Sequence, residues 1–272
     1  MAEGVAHYHL ISRTCNRQFL LRKAKTKDML LDLLRRAAEF SGIDVEACVA
    51  MDNHVHVLCT VSRTGTKVPA DEVVRRVRAL KGDRAADALS ERLSELEAAG
   101  FVATMEAELD RYRSRMNDIS EFMKTAKELF AIWFNREFGY SGSVWGGAYK
   151  STMVEGGEYL ARCRRYILLN PVRAGIVGQV GEYRWVWAKG APKTEVFAGC
   201  LPAGERALLV RAVQLGEGKV YGSEGFVRRW LVGLGELFWS RSACAHAVGG
   251  LGFSSHGWKI AKREAERVAA CG

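Results

Sequence analysis

Val45-Glu46-Ala47-Cys48-Val49-Ala50-Met51-Asp52-Asn53-His54-Val55-His56-Val57-Leu58-Cys59-Thr60-Val61 decides the fold. Two β-prone runs, Val45 to Met51 and His54 to Val61, flank the short turn Asp52-Asn53 and read as a hairpin. Upstream, Thr26 to Phe40 has an apolar stripe of Met29, Leu30, Leu33 and Leu34, with Asp28 near its start and Gly42 after its end, as an amphipathic helix requires. Val5 to Ser12, before it, reads as a first strand. A strand, helix, strand, strand order predicts an α+β domain with an antiparallel sheet.

Downstream, Thr66 to Met116 is charge-rich and poor in β-branched residues. Leu89, Leu93 and Leu96 stand at helical spacing, so one or two exposed helices are expected, with a hairpin around Gly100. Asn117 to Phe138 predicts a longer helix with Ser120 as N-cap. Val144 to Val154 predicts a fourth strand, and Glu158 to Leu169 a helix that stops before Pro171. Ala188 to Pro202 reads as a linker. Beyond it, helices are expected at 205–214, 224–234 and 258–270, with a basic face of Arg228, Arg229, Lys259, Lys262 and Arg263. The division is a domain of residues 1–187 with a charged insert at about 66–116, followed by a helical accessory segment at 188–272.

Composition narrows the function classes. Apolar residues make up 48% of the 272, enough for a core and against wholesale disorder. A net charge of +9 suits a polyanionic partner, because each cation placed near a phosphate releases a counterion. The seven cysteines are odd in number and none is spaced as CxxC, so neither a disulfide framework nor a cysteine zinc site is expected. Met1 to His9 holds no apolar signal core, and no apolar run approaches the roughly 20 residues of a membrane helix. The expectation is a cytoplasmic protein without membrane partner. No GxxxxGK[ST] loop is present, so no nucleotide cofactor is expected.

Two segments carry chemistry. In His54-Val55-His56 the imidazoles at i and i+2 share one face of a strand and can hold one divalent cation, while Val55 faces the core. A phosphate-transfer site would take Mg2+ or Mn2+, with oxygens from substrate and water completing the shell. Partly buried structural histidines are the competing reading, and His7-Tyr8-His9 is a second HxH to be weighed as rival or helper. In Tyr166-Ile167-Leu168-Leu169-Asn170-Pro171 the phenol and the amide lie one helical turn apart. Tyr166 can then attack a phosphorus and Asn170 can supply a third ligand. Equally, Tyr166 can be a core aromatic and Asn170 a C-terminal cap.

Taken in order, His7-Tyr8-His9-Leu10-Ile11-Ser12-Arg13, Ala50-Met51-Asp52-Asn53-His54-Val55-His56-Val57-Leu58, Trp145-Gly146-Gly147-Ala148-Tyr149-Lys150-Ser151 and Tyr166-Ile167-Leu168-Leu169-Asn170-Pro171-Val172-Arg173-Ala174-Gly175 resemble the REP-associated tyrosine transposases, a branch of the single-tyrosine HUH transposases. The resemblance spans roughly residues 5 to 187, interrupted by the insert. It implies a ferredoxin-like antiparallel sheet with helices on one face. It implies that His54 and His56 hold the cation with help from Asn170. It implies that Tyr166 attacks single-stranded DNA beside hairpin-forming repeats, making a 5′-phosphotyrosine and freeing a 3′-OH. DNA contacts are expected from Arg13, Trp145, Tyr149, Lys150, Arg162, Arg165 and Arg173, and the molecule is expected to be a monomer or homodimer. Asp52 departs from the family, which usually carries proline there; a turn residue is the favoured reading of it over an outer base. Two other functions remain open: a DNA-binding protein of this fold without catalysis, and a metal-dependent nuclease using water. A replication or conjugation initiator of the same chemistry would come with a helicase domain or a larger chain.

Overall fold

The computed structural model describes residues 4–63, 66–190, 220–223 and 226. Its elements in chain order are β1 (Gly4–Arg13), α1 (Ala24–Ser41), β2 (Asp44–Ala50), β3 (His54–Arg63), α2 (Ala70–Lys81), α3 (Asp83–Ala98), α4 (Val102–Arg113), α5 (Ile119–Phe138), β4 (Lys150–Val154), α6 (Glu158–Leu168), α7 (Asn170–Arg173), β5 (Val186–Ala188) and β6 (Val220–Tyr221). The sheet runs β5-β2-β3-β1-β4-β6. Its central strands pair antiparallel, and two-residue β6 lies parallel to β4. The order β2-β3-β1-β4, with α1 joining β1 to β2, is the expected ferredoxin-like antiparallel arrangement.

Alternation along the strands sorts two cores. Val55, Val57, Cys59 and Val61 of β3 and Leu10 of β1 pack with Leu30 and Leu34 of α1 and Phe122 and Phe130 of α5. Leu58 of β3, Ile11 of β1 and Ala47 and Val49 of β2 instead meet Cys163, Tyr166 and Ile167 of α6. The implied one-sided helix layer is therefore corrected: α6 covers the second face, where Ile11, Ala47, Val49 and Leu58 offer it an apolar surface. Gly42 ends α1 with φ 66°, its N–H reaching the carbonyls of Ala38 and Glu39. A side chain at that position would be strained and would meet the Arg76 guanidinium.

The insert forms three helices, not one or two. Gly82, at φ 87° and ψ 176°, breaks the run between α2 and α3, a conformation open to glycine alone, and Gly100 divides α3 from α4. Val73, Val77, Leu80, Leu89, Leu93 and Leu109 are buried in the same core as α1, so these helices form an integral layer. Asp118, not Ser120, caps α5: its Oδ1 accepts from the Ser120 and Glu121 amides at 2.6 and 3.1 Å. The fourth strand is shorter than predicted, since Gly146 and Gly147 interrupt Val144 to Tyr149 and only Trp145 bridges to Thr14. Helix α6 stops at Leu168, before Pro171 as expected, and Pro171 then opens the short α7, where a missing N–H costs nothing. The helices expected at 205–214 and 258–270, and nearly all of 224–234, lie outside the described residues, as do Arg228, Arg229, Lys259, Lys262 and Arg263. Among the described residues no helix is long and apolar enough to cross a membrane.

Candidate active site

Register brings both histidine pairs onto one face. Ile11 lies opposite His56 and Arg13 opposite His54, so His7, His9, Ile11 and Arg13 of β1 share a side of the sheet with His54 and His56. His9 and His56 sit diagonally across the two strands, within reach of aromatic side chains. Their rings stack at 5.1 Å with an interplanar angle of 15°, and His9 Nε2 lies 2.9 Å from His56 Nδ1. His54 meets His56 edge to face at 4.9 Å. His7 belongs elsewhere: its Nδ1 lies 2.8 Å from the Thr60 hydroxyl, which bonds onward to Glu46.

Helix α6 lays Tyr166 over this cluster. The phenol ring is 6.0 Å from His56 and 6.2 Å from His9, edge to face with both. Tyr166 is 2% exposed, His56 3% and His9 1%, so the cluster is close to dry. The Arg173 guanidinium stands 4.8 Å above the Tyr166 ring, and two of its buried nitrogens, Nε and Nη1, have no hydrogen-bond partner.

Desolvation governs the protonation states. Burial lowers the His9 pKa to about 3, and burial with the neighbouring charge of Arg13 lowers His54 to about 4. His56 is pushed well below its usual value by burial, then by His54, His9, Arg13 and Arg173. All three imidazoles are thus neutral at pH 7, the form that ligates metals. Burial raises the Tyr166 pKa, against the pull of the adjacent Arg173 cation.

The hairpin turn is fastened from outside. Thr14 and Leu21 amides donate to the carbonyls of Asn53 and Asp52 at 3.0 and 2.9 Å. Lys27, 3% exposed, binds the Asp52 carboxylate at 2.6 Å and lies 4.4 Å over the Trp185 ring. Asp52 is therefore the ion-pair partner of a buried lysine, in keeping with a turn residue.

The remaining site residues divide. Asn170 Nδ2 caps α6 through the carbonyls of Tyr166 and Ile167 at 3.0 and 3.3 Å, which is the capping alternative. Among the described residues no group of three or more His, Cys, Asp and Glu is arranged to hold a metal. Lys150 is exposed opposite Ile11 on the histidine face, and Arg165 follows on α6 one residue before Tyr166. Arg162 is paired with Glu158 and lies over Tyr159. Trp145 is corrected: it is 8% exposed, its indole N–H donates to the Lys127 carbonyl at 2.9 Å, and its ring packs on Phe130, so no base can stack on it. Tyr149 is half-buried on the opposite side, its hydroxyl 3.0 Å from that of Ser120. Of the second HxH pair, weighed as rival or helper, only His9 joins the cluster. One participant is missed by the sequence reading: Asn53 is there only a turn residue, yet its Oδ1 lies 2.7 Å from His54 Nδ1.

Comparison with known proteins follows this geometry. Residues 4–100 match the profile of the family described as "Transposase IS200 like". A REP-associated tyrosine transposase bound to a REP hairpin aligns at 14% identity with a TM-score of 0.41, over 74% of this chain and 95% of that one. A candidate transposase from Deinococcus radiodurans R1 aligns at 19% identity with a TM-score of 0.29, over 65% and 92%. Both likenesses are distant, and no curated protein matches. The family match includes β1, α1 and both histidine pairs and stops before Tyr166. Residues 4–100, about a third of the chain, are thus similar to the IS200-like transposases.

Proposed function

We propose that this protein is a transposase that cuts single-stranded DNA beside hairpin-forming repeats of the REP type, with Tyr166 as nucleophile and His54 and His56 as cation ligands. The observation that carries the reading is the convergence of two neutral imidazoles from β3 and one buried phenol from α6 on a single face of the sheet. The donor set fits half a cation shell: two neutral imidazoles that can each offer one nitrogen, with Asn170 Oδ1 as a third candidate and oxygens to come from DNA and water. A bound Mg2+ or Mn2+ would supply charge neutralisation at the scissile phosphate.

The chain's own residues do the rest. Tyr166 Oη forms a bond to phosphorus while the P–O3′ bond breaks, so the product is a 5′-phosphotyrosine and a 3′-OH that takes up a proton. The phenol must first lose its proton, which burial opposes. Arg173, on the ring face of the phenol, favours the phenolate by its charge, and its two partnerless buried nitrogens suit a phosphate oxygen. Arg13, Lys150, Arg162 and Arg165 supply backbone contacts to DNA on the same side. Because the covalent link conserves the phosphodiester energy, rejoining to another 3′-OH needs no nucleotide.

A labelled hairpin oligonucleotide incubated with Mg2+ or Mn2+ tests this. Wild type is expected to form a covalent adduct that survives denaturing electrophoresis, and Tyr166→Phe to form none while still binding DNA. An adduct in Tyr166→Phe refutes the nucleophile. Cleavage by wild type without any adduct identifies a nuclease that uses water, and binding without cleavage a protein that has lost catalysis.

A further inference from the structure

Each of the two β3 imidazoles has its inner nitrogen engaged by another side chain. Asn53 Nδ2 donates to the Arg17 carbonyl at 3.1 Å, which fixes the amide orientation and leaves Oδ1 facing His54 Nδ1 at 2.7 Å. An amide oxygen only accepts, so the single proton of neutral His54 sits on Nδ1 and Nε2 keeps its lone pair. Arg17 itself is held in place with φ 56°, beside Asn16 at φ 51°, in a loop tied to the hairpin turn through Thr14 and Leu21. The amide is thus oriented by a built, strained loop.

His56 has two possible proton positions. Its Nδ1 and His9 Nε2 share one proton across 2.9 Å. If His9 donates, the proton of His56 must sit on Nε2 and that nitrogen cannot ligate. If His9 accepts, His56 carries Nδ1–H and presents a bare Nε2. Stacking at 15° and near-complete burial leave His9 no other partner to turn to, and its own Nδ1 has none among the described residues.

We infer that Asn53 and His9 are positioning residues that hold His54 and His56 as Nδ1–H tautomers, each with Nε2 open toward a cation. This rests on the two-histidine cation reading above. Such outer partners typically govern 10–100-fold in metal affinity.

The test uses the full chain without DNA and Mn2+ alone, followed by electron paramagnetic resonance. Asn53→Ala and His9→Phe are expected to weaken Mn2+ binding by about 10- to 100-fold. His9→Gln, which keeps an acceptor oxygen in place, is expected to stay within about threefold of wild type, a rescue that mere loss of packing would not give. Nitrogen-15 correlation spectra of wild type saturated with Mg2+ read the tautomers directly and need no variant to fold; both His54 and His56 are expected as Nδ1–H. If wild type takes up no Mn2+, the cation reading falls and this inference with it. If wild type binds but Asn53→Ala and His9→Phe bind equally well, or the spectra show Nε2–H on His54 or His56, this inference alone is overturned.

Discussion

Buried His9 and His56 and half-buried His54, all neutral, make the domain acid-sensitive in a defined window. His9 is held neutral to about pH 3 in the folded state, whereas the unfolded chain protonates it at its ordinary 6.5. Above 6.5 both states are neutral and nothing is lost. Below it the unfolded chain gains a proton that the fold refuses, so stability falls with pH until the folded group itself titrates. Each unit costs about 1.4 kcal/mol per group, hence about 2 kcal/mol from His9 at pH 5. His54, lowered to about 4, adds an amount of the same size, and His56, shifted in the same direction, adds to it. Against a typical total of about 5–15 kcal/mol, acidification to pH 5 removes a large share of the stability. Carboxylates titrate mostly lower, so the window from 6.5 to 5 reports histidines. Urea unfolding at pH 7.5, 6 and 5 in a chelator measures it, with His9→Phe expected to recover about 2 kcal/mol of the acid loss. A wild-type stability that stays level between pH 7 and 5, or a His9→Phe variant as acid-sensitive as wild type, refutes the reasoning.

Lys27→Met should destabilise the domain by about 2–3 kcal/mol in denaturant titration, below the usual cost of breaking a fully buried pair because Asp52 is partly exposed. Lys27→Met combined with Asp52→Asn should regain part of that loss, and a purely additive pair would show that the ion pair contributes nothing. Arg173→Ala removes the cation that favours the Tyr166 phenolate. The pH profile of adduct formation should therefore move to higher pH, with the rate at pH 7 down by tenfold or more, while the unfolding midpoint barely changes; an unmoved profile would assign Arg173 to packing alone.

Most of the fold was legible because its signals are local. Alternation placed β1 and β3, the leucine stripe and Gly42 placed α1, and the Asp52-Asn53 turn placed the hairpin. What failed was equally local in origin. Gly82 breaks the insert by a backbone conformation that helical periodicity does not encode, and Asp118 outcompetes Ser120 as cap two residues upstream. Trp145 looked equally suited to a base or to the core, and only the packing against Phe130 and the bond to Lys127 decide it.

The site shows a different boundary. His54 and His56 are one strand's i and i+2, a relation written in the sequence. Their relation to His9 is not: it depends on pairing Ile11 with His56, and a slip of one residue would turn His9 to the α1 face. The same register that buries Leu10 against α1 therefore also delivers His9 to His56, so core packing and imidazole placement are one constraint. Asn53 follows similar logic. As a turn residue it could point anywhere, but its donor is claimed by a carbonyl in the loop that precedes α1, and only then does its acceptor meet His54. The chemistry at the candidate cation ligands is thus set by contacts 36 and 47 residues away in sequence, which no tripeptide motif contains.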